Sequence, residues 1–261
     1  MIKTLDSLGS KFQHRKFLFK QLVYRDFKSR YKRAILGVLW SMLSPLLYFS
    51  AQALVFTFIF SRAEHYISYL ITGNIVYYYF SDATTQGMCS LSSNAGIISK
   101  IRVPKEIFLF SKNISSFVNF LLTLIIMFTI VALDGMPFHW KFFLLIVPIA
   151  CISALNVGIG YILSALFVFF KDIQYLYNIL CRLLIYFSAI FYYVEAFPDW
   201  IRKMFWINPL YCYIYYFRQI VVYNNIPGFW VHFLCVLYPL IFLVIGKIIY
   251  KVYDNKFAYY L

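Results

Sequence analysis

Charged side chains in this chain are confined to a few stretches, and the uncharged runs between them predict its elements. Ala34–Ser61 is a run of 28 uncharged residues, Asn113–Leu133 one of 21, Phe142–Phe170 one of 29 and Phe229–Gly246 one of 18. About 20 apolar residues, rising 1.5 Å each, cross the hydrocarbon core of a bilayer, so each run reads as a spanning helix. Two further stretches are less clean. Tyr66–Ser81 offers 16 residues before Asp82, so a crossing there must continue past that acid. Ile173–Val194 has 22 residues with Arg182 near its middle. The expected fold is all-α, a polytopic membrane protein with six transmembrane helices.

The segments outside these runs carry their own patterns. In Lys11–Arg33, Phe12, Phe19, Leu22, Val23, Phe27 and Tyr31 recur at helical spacing among basic residues. That suits an N-terminal amphipathic helix lying in the membrane interface, or else a flanking segment that only anchors the first span. Pro45 interrupts the first span, where it frees a backbone carbonyl and kinks the helix. Ala150, Ala154 and Gly158, then Gly160 and Ser164, form a small-residue stripe in the fourth span where another helix can come close. Between Lys203 and Arg218 lie 14 uncharged residues, too few to cross, with Pro198 and Pro209 as breakers. Region 195–217 therefore reads as a re-entrant outer hairpin before the last helix; a surface helix with snorkelling charges is the alternative. The expected organisation is a cytoplasmic segment at 1–33, a six-helix domain at 34–246 and a cytoplasmic tail at 247–261.

Composition agrees with a membrane setting: of 261 residues, 62% are apolar, 22% aromatic and 13% charged. Soluble domains average about 25% charged residues, so this chain has too little polar surface for water. The 24 Lys and Arg against 10 Asp and Glu give a net charge of +14. Eighteen of the basic residues fall on one side of the expected topology and five on the other. The positive-inside rule then places both termini in the cytoplasm, and the charge serves insertion and anionic lipids rather than nucleic acid. The first 33 residues lack the apolar core of a secretory signal.

Chemistry-bearing constellations are missing. No GxxxxGK[ST] phosphate loop occurs, so ATP is not bound by that route. His14, His65, His139 and His232 sit in separate segments with no acid at fixed spacing. Cys89, Cys151, Cys181, Cys212 and Cys235 have no metal-ligand spacing, so no metal site is expected. Ion-driven carriers bury carboxylates at the midplane, and only Asp82 approaches that. An enzyme is disfavoured, and the energy for any transport must come from another subunit.

Three stretches carry a resemblance: Arg25–Leu47 (RDFKSRYKRAILGVLWSMLSPLL), Phe80–Ile107 (FSDATTQGMCSLSSNAGIISKIRVPKEI) and Phe169–Ile173 (FFKDI). In that order, with spans between them, they resemble the membrane subunit of type-2 ABC exporters for polysaccharides, the O-antigen, capsule and teichoic-acid exporters. The resemblance covers about residues 15–250. It implies a homodimer of six-helix permease subunits in a bacterial cytoplasmic (inner) membrane, with two copies of a separate ATPase subunit on the cytoplasmic side. ATP and Mg would then belong to that ATPase, with no cofactor on this chain. The implied substrate is a lipid-linked polysaccharide. By the same resemblance Asn94–Ile107 carries the coupling helix, with Val103, Pro104, Lys105 and Glu106 against the ATPase. Lys171 and Asp172 form a second, smaller contact.

Residue chemistry suggests a path. Aromatic rings stack on the C–H faces of sugars while hydroxyls and amides take the rest, so Tyr77, Tyr79, Tyr186, Tyr192 and Tyr211 are candidate lining residues. Arg182 joins them, because a mid-helix arginine costs about 2.5–3.5 kcal/mol on insertion scales and usually faces a cavity or partner. Arg25, Arg30, Lys32 and Arg33 sit where a lipid-diphosphate headgroup would enter, since guanidinium forks suit phosphate; anchoring by positive charge is the plainer role. The rival functions are a type-2 exporter of drugs or small lipids, a membrane-embedded transferase acting on lipid-linked sugars, and a channel.

Overall fold

The computed structural model describes residues 16–29, 37–59, 64–100 and 103–260, and the regular structure among them is entirely helical. Helix α1 covers residues 16–29. A 3-10 turn at Gly37–Leu39 leads into α2 (Trp40–Ile59), followed by α3 (Tyr66–Met88) and one-turn α4 (Ala95–Ile98). Helices α5 (Glu106–Leu133), α6 (Ile146–Phe169) and α7 (Ile173–Phe187) come next. The short α8 (Asp199–Phe205) and α9 (Pro209–Val221) precede the long final α10 (Phe229–Tyr260). Four segments are long and apolar enough to cross a bilayer: Trp40–Ile59, Glu106–Leu133, Trp140–Phe169 and Phe229–Asp254.

The centre of the molecule is α3, the least apolar of the long helices. It packs against α5, α6 and α9 and buries Ser68, Thr72, Asn74 and Thr84 together with its apolar residues. Buried hydroxyls and amides need partners; Ser68 donates to Asp134 Oδ2 (2.5 Å), and for the other three the helix supplies an acceptor from its own preceding turn. Thr72 donates to Ser68 O (2.9 Å), Asn74 to Leu70 O (3.0 Å) and Thr84 to Phe80 O (2.6 Å). As the sequence required, α3 continues past Asp82.

In lipid there is little hydrophobic force between helices, so close backbone approach and hydrogen bonds hold them. Helix α6 meets α10 through two glycines. A Cβ on Gly158 would stand 2.8 Å from the backbone of Leu243 and Phe242, and one on Gly246 would stand 2.6 Å from Tyr161 Cβ. Ser164 Oγ and Tyr250 Oη, 2.6 Å apart, extend the same seam. Thus the small stripe of α6 serves more than one partner: Gly160 faces Leu109 of α5 and Gly87 of α3.

Helices α2 and α7 are peripheral. Phe49 is the buried side chain of α2, and Tyr177 and Cys181 are those of α7. Their outer faces present Leu54, Val55, Phe58, Leu176, Ile179, Leu180 and Leu183.

Several boundaries differ from the expected ones. Helix α5 starts at Glu106 rather than Asn113, because Pro104 O and Lys105 O already accept from Ile107 and Phe108 (3.1 and 3.2 Å). Within Asn94–Ile107, the short helical piece is α4, and Val103–Glu106 leads into the 28-residue α5. The tail does not leave the last helix at Gly246: α10 runs to Tyr260, where Phe257 is buried between Phe169 and Tyr250. Helix α7 stops at Phe187, well short of Val194.

Candidate functional site

Between α2, α3 and α7 lies a cavity of about 770 Å³, within the size range of ligand sites. Tyr77, Tyr78 and Ser81 come from α3, Tyr48, Gln52 and Phe56 from α2, and Arg182, Ile185 and Tyr186 from α7, with Phe191 just beyond it. Tyr77 Oη donates to Cys181 O (2.8 Å), which ties α7 to α3 beside Arg182. Phe56 stacks on Phe191 (4.6 Å between centroids) and Tyr48 meets Tyr78 edge-on (5.8 Å). Arg182 is exposed in this cavity, and the lining contains no carboxylate.

Of the path candidates, the structure thus brings Tyr77, Arg182 and Tyr186 together. Tyr79 points elsewhere: it donates to Ser153 (2.8 Å) and stacks on Phe120 (4.2 Å). Tyr192 packs on Phe197 and Phe205 and donates to Tyr186 O. Tyr211 is buried between Phe205 and Trp206. On the other side of Tyr78 a smaller cleft of about 350 Å³ holds Asp82 with Ser41, Ser44, Ser116 and Asn119.

The chain following α7 is irregular, yet its carbonyls are satisfied by side chains. Arg218 of α9 donates to Ala189 O (2.8 Å), Ile190 O (2.9 Å) and Tyr69 O (3.3 Å). Tyr66 and Tyr69 of α3 donate to Phe191 O and Tyr192 O (2.7 Å each), and Asn208 donates to Phe187 O (3.2 Å). Irregular backbone at membrane depth survives when protein groups satisfy it in this way. The guanidinium also lies 3.4 Å from the Tyr69 ring centroid. Arg218 therefore is not a surface charge of the outer side; it is 4% exposed. Its place in a run of apolar aromatics was the available sign.

At the end of the molecule that carries α4, charged residues form fixed contacts. Asp26 of α1 is 4% exposed and accepts from Arg25 (2.8 Å) and Ser111 (3.0 Å), with Lys112 Nζ at 3.2 Å. Arg25 also donates to Asn94 Oδ1 (2.7 Å). Its guanidinium is thus held by protein and joins α1, α5 and the entry to α4. Arg30, Lys32 and Arg33 lie outside the described residues, as do Phe12 and Tyr31. Lys105 pairs with Asp254 of α10 (2.7 Å), while Pro104 is exposed. Lys171 donates to Ser92 (2.9 Å) and lies 4.7 Å from the Phe167 ring, and Asp172 beside it is exposed. Sequence reasoning missed Asp26, whose signal was a single acid on the apolar face of a basic helix. Among the described residues no cluster of His, Cys, Asp and Glu could hold a metal ion.

The four long apolar helices and the cavity with a lone cation mark the chain as a membrane protein. Residues 17–222 match the family described as ABC-2 type transporter, and this chain belongs to that family of integral membrane permeases. It is 28% identical to the O-antigen export system permease protein RfbA of Klebsiella pneumoniae, over 93% of this chain and 95% of the relative. It is 25% identical to a protein of the same name from Myxococcus xanthus, over 83% of this chain and 84% of the relative. The polysialic acid transport protein KpsM of Escherichia coli is 24% identical, over 93% of this chain and 95% of the relative.

Proposed function

We propose that this chain is the permease subunit of an exporter that carries lipid-linked polysaccharide across a bacterial cytoplasmic membrane, driven by a separate ATPase. The observation that carries this reading is the cavity of about 770 Å³ between α2, α3 and α7, which offers rings, hydroxyls and an amide on one wall system. Rings stack on sugar C–H faces and hydroxyls exchange hydrogen bonds, so successive sugars are held weakly and passed on. The relatives named for O-antigen and polysialic acid support the substrate class.

The finer arrangement follows the same logic. Helices α2 and α7 flank the cavity and carry exposed apolar faces, which suits a second copy completing the path. A homodimer with two ATPase subunits results. Helix α3 and α7, extended by the chain after it, supply the fifth and sixth crossings. Trp206 O accepts from Tyr238, which lies nine residues into α10, whereas Tyr216 meets His232 nearer its start. At 1.5 Å per residue the α8–α9 turn reaches about 14 Å inward, as a re-entrant hairpin on the outer side would. Both termini are then cytoplasmic, α1 lies in the interface, and the exposed Pro104 and Asp172 face the ATPase. ATP and Mg stay on that partner, and this chain is not an enzyme.

Deletion of the chain in its host tests this reading. Loss of surface glycan with build-up of lipid-linked glycan inside, and co-purification of the chain with an ATPase, are expected. Unchanged surface glycan, or uphill transport by the purified chain alone, overturns it.

A further inference from the structure

Arg182 sits nine residues into α7, about 14 Å from the start of the helix, and faces the cavity between α2, α3 and α7. On the export reading above, in which α7 starts at the cytoplasmic face, that depth is near the middle of a hydrocarbon core about 30 Å thick. Its neighbours in the lining are Tyr48, Gln52, Ser81 and Tyr186, none of them a carboxylate, and it makes no ion pair with any described residue. The contrast with Arg218 is instructive. That guanidinium is buried and spends its donors on three backbone carbonyls. Arg182 is exposed on the cavity wall and its guanidinium makes no hydrogen bond or ion pair with a described residue. Retaining an unneutralised cation at such depth is costly, and a low-dielectric cavity with one sign of charge concentrates the opposite sign.

We infer that Arg182 makes this cavity a binding site for an oxyanion, a carboxylate or phosphate group carried by the exported glycolipid. This rests on the export reading above and adds the charge class of what passes. The planar fork can grip either group through two parallel hydrogen bonds, while the rings of Tyr48, Tyr77 and Tyr186 take the sugar faces beside it. Gln52 and Ser81 offer an amide and a hydroxyl for neighbouring sugar hydroxyls.

The oxyanion can stand on the polymer repeat or on the lipid diphosphate, and one experiment separates them. Arg182→Gln and Arg182→Lys replace the native residue in the host, with membrane levels of the chain followed by immunoblot. Surface and intracellular glycan are measured for the native polymer and for a neutral polymannose built on the same lipid diphosphate. The Gln variant is expected to lower export of the native polymer by on the order of tenfold, and the Lys variant to recover most of it. Loss confined to the native polymer places the oxyanion on the repeat, and a wild-type chain that refuses polymannose says the same. Equal loss for both places it on the carrier. A Gln variant that exports both glycans at the wild-type rate overturns the inference, as does a Lys variant no better than Gln at equal membrane level. Because deletion of the chain tests export itself, a deletion phenotype beside a silent Arg182→Gln sinks this inference alone.

Discussion

Arg218→Met removes the donor that holds the chain after α7, and its effect can be worked from the contacts. The carbonyls of Ala189 and Ile190 lose their side-chain partner, while Tyr69 O keeps Thr72 Oγ1 (2.9 Å). A buried acceptor left unsatisfied costs about 1–3 kcal/mol, so about 2–6 kcal/mol is lost in gross terms. Against this, burying a guanidinium carries a desolvation penalty of several kcal/mol that methionine avoids. Methionine also keeps the packing on Tyr69. The net is about 2 kcal/mol, and it is local. Ala189 holds a left-handed φ of 52°, a strained backbone that persists only when its surroundings over-determine it; without Arg218 that segment opens first. Hydrogen exchange of the detergent-solubilised or nanodisc-embedded chain reads this directly. Amides in 188–194 are expected to exchange about thirtyfold faster in the variant, since 1.4 kcal/mol is tenfold, while amides of α6 and α10 stay protected. Arg218→Lys should fall between, because an ammonium cannot match the fork that reaches Ala189 and Ile190 together. Exchange in 188–194 within threefold of wild type in the Met variant refutes the assigned role.

Further outcomes follow from other contacts. Asp26→Asn removes the buried carboxylate from Arg25 and Lys112 and should weaken the attachment of α1 by about 3 kcal/mol; faster tryptic cleavage at Lys20 and Lys28 in membrane vesicles is the readout, and unchanged cleavage counts against it. Gly158→Leu drives a side chain into the α10 backbone, where even a Cβ would stand at 2.8 Å, and should abolish stable accumulation in the membrane. Gly96→Ala, where a Cβ meets nothing within 4 Å, should accumulate as wild type.

What was legible beforehand depended on whether polarity stood against an apolar background or inside one. The four long apolar helices and the small residues of α6 read directly, since length and residue size act locally. Helix α3 read poorly, because Thr72, Asn74 and Thr84 look hydrophilic until they are seen donating to their own helix, and Ser68 until it is seen donating to Asp134 at the end of α5. Arg218 was misread for a related reason: a cation beside a tyrosine-rich stretch looks like an interface residue, and only the tertiary fold brings three carbonyls to it. The cavity was half legible. Tyr77, Arg182 and Tyr186 were named as lining residues by chemistry, but Tyr48 and Gln52 on α2 face them only because Phe49 alone of that helix turns fully inward. Lys105 shows what sequence spacing hides: its partner Asp254 is 149 positions away.

The contrast between tight and loose packing says where this molecule moves. Helices α6 and α10 meet backbone to backbone at Gly158 and Gly246, and interiors packed that closely shift as a body. Helix α7 packs Tyr177 and Cys181 against Met88 of α3 and Leu163 and Phe167 of α6, and is joined to α3 by two hydrogen bonds, Tyr177 Oη to Thr84 Oγ1 (2.6 Å) and Tyr77 Oη to Cys181 O (2.8 Å). It begins at Lys171–Asp172, the pair facing the ATPase on the export reading, and carries Arg182 two and a half turns later. A push at its first residues therefore reaches the cavity through a rigid rod whose side attachments are worth about 1 kcal/mol each. Tyr177→Phe deletes one of them and leaves the ring in place, so an equilibrium between closed and opened positions of α7 should move toward opening by about fivefold. A cysteine placed at Ala51, exposed on the cavity wall of α2, reports this by its labelling rate with a membrane-impermeant thiol reagent in the assembled complex. The rate should rise by about the same factor in Tyr177→Phe. An unchanged rate would mean that α7 is not the element whose displacement opens the path, and the transmission from Lys171 to Arg182 would fall with it.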